Sequence, residues 1–443
     1  MQISELQISQ PQICQPQISA QQEPDRLPLP GSDSLGKLFA RYSGPPFAIR
    51  FWNGAVWAIS PHAPVFTIVL LSERIWNRLL SGINELSLGE AFVLGEFDVE
   101  GDIYAAFHFA QFFVTSSMEG AQASPGARIW LFANRMLAEA RRLMRPGSRH
   151  SVRRDANAIT YHYDKPAEFY RLWLGESMVY SCAYFHNSTQ TLDQAQYNKL
   201  EQICRKLRLQ PQDHFLDVGC GWGSLVLYAA SRFGVHASGI TLSHEQERIG
   251  KQRIHQAGMQ NNSQIEYRDY RSLDETRESF DKIASVGMSE HVGLANLPLY
   301  FRKAYSLLRP KGAFLNHAIT RSATLQKRGP SFIDQYVFPD GELVTLSDTV
   351  RCAEQAGFEV RDVEDLREHY ERTLHCWVKA LTDCKEQVLR FVDEKTYRIW
   401  KIYMAGSAEA FRRGDIAVHQ VLLSKGDSGQ IGLSVDRAEW YRN

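Results

Sequence analysis

The sequence predicts an α/β protein with a doubly wound parallel sheet over residues 161–443, preceded by a smaller α+β unit over residues 36–125. Three observations carry this. At 443 residues the chain exceeds one ordinary hydrophobic core. Strand-like runs at 215–218, 235–240, 264–267, 281–287 and 313–319 alternate with helical patterns, which implies parallel strands joined by crossover helices. The first run, Phe215-Leu216-Asp217-Val218, stops at an acid and opens into Gly219-Cys220-Gly221-Trp222-Gly223, a strand-to-helix turn at the centre of the pattern.

The glycines there let a ligand approach bare backbone. Their spacing narrows the ligand, because a dinucleotide fingerprint needs G-x-G-x-x-G and an acid about 20 residues later. Here the order is G-x-G-x-G, and the next strand ends in Thr241-Leu242-Ser243 without an acid. This loop resembles the S-adenosylmethionine (SAM) loop of Rossmann-like methyltransferases.

The elements follow in order. Residues 1–35 repeat a Gln-Ile motif every five residues (Gln2-Ile3, Gln7-Ile8, Gln12-Ile13, Gln17-Ile18) among prolines, and read as a disordered tail. Short strands are expected around Asn53-Gly54 and over 66–71, then a helix over 73–80. Next come 88–96 and an aromatic-rich helix to about Ser116, capped by Gly101-Asp102. Its density of Phe and Trp fits either an ordinary core or a groove for acyl chains. Residues 117–127 read as a linker, and 126–160 as a basic helical connection. Between 135 and 154 seven arginines face one acid, Glu139, which fits a solvated helix or contact with anionic lipid headgroups. Segments 357–363 and 416–423 supply the strands that finish the large sheet.

Composition excludes several classes. Fifty basic residues balance fifty acidic ones, so no net field attracts nucleic acid. Seven cysteines show no C-x-x-C pair, so neither a disulfide framework nor a metal site is expected. The longest apolar runs, 63–71 and 103–114, are too short to span a bilayer, and the first residues lack a signal-peptide pattern. A cytoplasmic protein is expected.

Ligands of doubly wound sheets collect at the carboxyl ends of the strands. Asp217 and Gly219, Glu290-His291 past the fourth strand, and His317 on the fifth are all placed there, which points to a shared acid–base site. The wording around them then becomes specific. Tyr161-His162-Tyr163-Asp164, Tyr180-Ser181-Cys182-Ala183-Tyr184-Phe185, the Gly219 loop, Ile240-Thr241-Leu242-Ser243 with Gln246, 285–293, His317-Ala318-Ile319, Tyr336-Val337-Phe338-Pro339 and 370–374 resemble the cyclopropane-fatty-acid synthases. The stretch 89–102 looks like that family's N-terminal domain, which is similar to sterol-carrier-like lipid-binding folds.

The resemblance implies that Tyr180, Ser181, Asp217, Gly219 and Gly221 hold SAM, that Thr241 and Gln246 replace the missing ribose acid, and that Tyr270 lies by the adenine. It also implies that Cys182, Glu290, His317, the Ile319 backbone and Tyr370 hold a bicarbonate ion. The implied reaction adds a methylene across the cis double bond of an acyl chain in a membrane phospholipid, at the inner face of the membrane, with a homodimer left open. Chemically, a cis double bond is a weak nucleophile, so the methyl donor must be held in line with it in a dry site. A base must then remove a proton for the ring to close. Two positions depart from the family: Ser289, where phenylalanine is common, and Ser407, where a cysteine is often found. The rivals are a related methyltransferase that leaves a methyl or methylene branch or methylates an amine, and a lipid-transfer protein with a lapsed enzyme domain.

Overall fold

The computed structural model describes residues 32–123, 151, 155, 162, 165–325, 331–338, 341–433 and 435–441. Of the arginine-rich segment 135–154 only Ser151 is among them, so its expected lipid contact lies outside the described residues, as do Tyr161, Tyr163, Asp164 and Pro339.

In the N-terminal part, β1 (Phe47–Arg50), β2 (Val56–Ala58), β3 (Phe66–Leu70) and β4 (Phe97–Gly101) form a sheet in the order β2-β1-β3-β4. Alternation along β3 buries Phe66, Ile68 and Leu70 on one face. They pack with Phe39, Phe47, Phe109 and Phe113 in a core of interlocking rings. Three sequence expectations are corrected here. A helix, Ser32–Leu38, enters the presumed tail, because Leu35 joins Phe39 in that core. The aromatic helix, Ala106–Ala123, runs through the first half of the presumed linker. Strand β4 was not foreseen; its outward Asp98 and Glu100 interrupt the apolar pattern. The Asp102 cap is present, its carboxylate accepting from the Tyr104 N–H at 2.8 Å.

The second sheet contains β5 (His214–Val218), β6 (His236–Thr241), β7 (Ser263–Tyr267), β8 (Phe280–Val286), β9 (Leu308–Arg321), β10 (Glu359–Asp365) and β11 (Ile416–Ser424). Their order is β10-β11-β9-β8-β5-β6-β7. Strands β5 to β9 are mutually parallel, whereas β11 runs antiparallel to both β9 and β10. This is a Rossmann-like doubly wound sheet with one reversed strand. The winding reverses between β5 and β8, which opens a crevice at their carboxyl ends.

The two parts meet along the helix Glu394–Arg413. Arg398 donates to the Phe92 and Phe97 carbonyls and pairs with Asp98 at 2.8 Å. Tyr336 and Gln335 donate to Glu90 at 2.9 and 3.3 Å. Beside Glu90, a β-carbon on Gly89 would lie 2.6 Å from the Phe332 ring. Gly89→Val therefore forces these faces apart, and calorimetry should show a loss of about 1–3 kcal/mol, the usual cost of overpacking. An unchanged melting midpoint would mean that the faces do not meet.

Candidate active site

Strand β5 delivers Asp217 to the crevice fully buried, with Oδ1 lacking any hydrogen-bond partner. Burial pushes its pKa up to about 7, opposed by the charge of Lys199. The chain then turns through positive φ at Gly219 (82°), Gly221 (54°) and Gly223 (81°). The Gly219 and Cys220 N–H groups both donate to the Ile240 carbonyl at 3.0 Å, which ties the turn to β6. The glycines differ in purpose: a β-carbon on Gly223 would strike Ile265 at 2.4 Å, whereas one on Gly221 would meet nothing within 4 Å. Gly221 thus faces open space.

That space is a cavity whose walls include every residue expected to hold the cofactor: Tyr180, Ser181, Asp217, Gly219, Gly221, Thr241, Gln246 and Tyr270. Thr241 donates to the Gln246 side chain at 2.7 Å, so the pair is held as one polar unit where β6 lacks an acid. Tyr270 is buried with its hydroxyl unpartnered, and burial pushes its pKa up to about 12. Tyr180 is held by hydrogen bonds to His162 at 3.3 Å and Tyr403 at 3.5 Å. An orphaned buried carboxylate oxygen, open space over Gly221 and a polar pair beside an aromatic ring suit a zwitterionic nucleoside ligand.

The second expected group does not line this cavity. Glu290 lies in the short turn Ser289–His291 after β8, and the Ile319 N–H donates to its Oε1 at 2.7 Å. Its Oε2 is buried without a partner, and burial raises its pKa to about 7 against the Ile319 N–H. His317, opposite Val286 in the β8–β9 ladder, is also buried. Its Nδ1 lies 3.2 Å from the Gln420 amide nitrogen. With Gln420 donating, the imidazole carries its proton on Nε2, which has no partner. Burial holds its pKa well below the usual value, so the ring is neutral.

Cys182 follows Ser181 in sequence, and its thiol donates to the Ala183 and Leu366 carbonyls at 3.3 and 3.7 Å. Burial pushes that thiol up, so it is not ionised. The Tyr370 N–H bonds to the same Leu366 carbonyl, and its ring packs 4.8 Å from Phe411. Cys182 and Tyr370 share one apolar cluster, against which Ile319, Tyr180, Tyr336 and Phe338 pack. An unpartnered acceptor and an unpartnered donor at neighbouring strand ends can hold a small polar molecule that offers the complementary groups. Ser289 and Ser407 are both buried.

Sequence reasoning missed Lys199, Gln420 and Tyr403, and gave no role to His162 although it stands in the motif Tyr161-His162-Tyr163-Asp164. Lys199 had one signal, since it sits on the helical stripe of Ala195, Leu200 and Ile203, where a lysine should be unwelcome.

Comparison with known proteins identifies the family. The chain is 40% identical over 402 residues to a probable fatty acid methyltransferase of Pseudomonas putida, covering 90% of this chain and 96% of that one. It is 34% identical to cyclopropane mycolic acid synthase 1 of Mycobacterium tuberculosis, over 60% of this chain and 96% of the relative. Among solved structures, a mycolic acid cyclopropane synthase complexed with SAH and CTAB superposes with a TM-score of 0.58 at 33% identity, over 61% of this chain and 98% of that one. The model of the mycolic acid cyclopropane synthetase family matches residues 150–421, more than half of the sequence, and the chain belongs to that family.

Proposed function

We propose that the protein is a SAM-dependent lipid methyltransferase that adds a methylene across the cis double bond of acyl chains in membrane phospholipids. Family membership supports the coarser part, lipid methyl transfer with SAM as donor. The observation that carries the finer part is the pair of buried, unpartnered polar atoms, Glu290 Oε2 and His317 Nε2, beside the cofactor cavity. A methyl transfer to an amine creates no carbocation that must be kept from water. In ring closure a proton must leave the added carbon while water is kept from a cationic chain.

In this reading SAM supplies an electrophilic methyl group. Tyr180, Ser181, Asp217, Gly219 and Gly221 hold its methionine end, Thr241 and Gln246 its ribose, and Tyr270 its adenine. Glu290, His317, Cys182, the Ile319 backbone and Tyr370 would hold bicarbonate, which would supply a base. Rings such as Tyr336 border the acyl chain and can face a cation. Docking of the arginine-rich segment 135–154 on anionic lipid at the cytoplasmic side belongs to the same proposal. No helix among the described residues is long and apolar enough to cross a membrane.

A second reading, a methyl- or methylene-branched product, is favoured by the end-to-end similarity to a probable fatty acid methyltransferase. One experiment separates the two. SAM carrying a trideuterated methyl is supplied with liposomes of a cis-monounsaturated phospholipid, and the acyl chains are analysed by mass spectrometry and NMR. Cyclopropanation leaves two deuteriums on the added carbon and replaces the vinyl signal by a high-field ring signal. An intact trideuterated methyl, or an exomethylene signal, would overturn ring formation.

A further inference from the structure

Lys199 is 2% exposed on the helix Leu192–Lys206, yet it lines the cofactor cavity. Its ammonium donates to Ser181 Oγ at 2.9 Å, which uses one of three N–H groups. The other described cations on the cavity wall near the aromatic end are already neutralised. Arg268 is held by Glu278 at 2.7 and 2.8 Å, and Arg271 by Asp269 at 2.7 Å and Asp155 at 3.0 Å. Among the described residues no carboxylate lies within ion-pair distance of Lys199. Buried charges are normally paired, so an unpaired ammonium in a cavity calls for an anion that arrives with the ligand.

We propose that Lys199, together with the Ser181 hydroxyl it holds, is the receptor for the α-carboxylate of the methionine end of SAM. The proposal rests on assigning Ser181 and the Gly219–Gly221 turn to that end. It completes a division of labour there. Asp217, with its orphaned oxygen, suits the ammonium of the amino acid, and Lys199 suits the carboxylate. Charge-assisted hydrogen bonds in a dry site are the strong ones. Burial lowers the Lys199 pKa to about 8, while Asp217 favours the charged form and the buried thiols of Cys182 and Cys204 beside it stay un-ionised. His317 is the other titratable group that senses Lys199, and it is neutral. At neutral pH the ammonium is therefore present to meet a carboxylate, and bringing the carboxylate in stabilises it further.

The test compares two ligands by calorimetry: SAH, which carries the amino-acid carboxylate, and 5′-methylthioadenosine, which keeps the nucleoside and sulfur but lacks it. Lys199→Met should weaken SAH by on the order of 10- to 100-fold, the scale of a charge-assisted hydrogen bond, and leave methylthioadenosine within about 2-fold. An unchanged ratio of the two affinities overturns the proposal. Equal loss of both ligands also overturns it, since that marks a structural lysine. If the variant fails to fold, the native chain decides: SAH affinity relative to methylthioadenosine must fall as pH rises past about 8, where the apo ammonium begins to lose its proton. A ratio flat with pH refutes the role. Absence of SAH binding to the native protein would instead refute the cofactor reading on which this rests.

Discussion

Replacing Glu290 by Gln should reduce turnover by at least ~100-fold, the scale of lost acid–base assistance, while SAH affinity stays within about 2-fold. The substitution is nearly isosteric. The Gln amide oxygen can still accept from the Ile319 N–H, so the turn after β8 keeps its anchor. What disappears is a carboxylate that ionises at about 7. In the native protein, activity should rise with pH through that value as the carboxylate becomes able to accept, and the variant should lose this limb. Stability moves the opposite way. Burial raises the Glu290 pKa above its ordinary carboxylic-acid value, so the folded state binds more protons than the unfolded one across that window. Stability contributed by Glu290 is then present below the ordinary value and declines as pH rises to about 7. Glu290→Gln removes this penalty, so at alkaline pH the variant should melt no lower than the native protein. Near-native turnover would remove Glu290 from the chemistry; a collapse in melting temperature would mean that the loss was one of folding.

The legible parts of this molecule were those whose cause is local. Asp217, Gly219 and Gly221 were readable because strand, acid and turn are contiguous, and the turn's positive φ values explain the glycines. The alternation of strands and helices located β5 to β9, since parallel strands buried on both faces read as apolar runs. The direction of β11 was not readable. An apolar run looks the same in either orientation, and reversal follows from the helices Arg367–Asp383 and Glu394–Arg413 that precede it. Lys199 gains its meaning only when Ser181 is brought to it, and Gln420 fixes the His317 tautomer across the β9–β11 ladder. Leu35 was hidden because its neighbours are Gly, Ser and Pro, and only the ring core around Phe39 makes it a buried residue.

Gly221→Val should abolish measurable SAH binding while the protein remains folded. The position is unusual among the loop glycines. A β-carbon on Gly223 meets Ile265 at 2.4 Å and one on Gly219 meets Met288 at 3.1 Å, so substitutions there disturb the protein itself. At Gly221 the same carbon meets no protein atom within 4 Å and projects where the cavity is open. The folded state therefore loses only the cost of holding a branched residue at a φ of 54°, on the order of 1–3 kcal/mol. The ligand loses more, because the methyl groups of Val occupy the approach to the Gly219 and Gly221 backbone. A graded series sharpens the expectation: Gly221→Ala should weaken SAH, Gly221→Val should weaken it by more than ~100-fold, and Gly223→Ala should lower the melting temperature. Calorimetry beside thermal melts reads all three. Native affinity in Gly221→Val would place the cofactor elsewhere, and with it the division of the crevice between a cofactor cavity and the Glu290–His317 pair would fall.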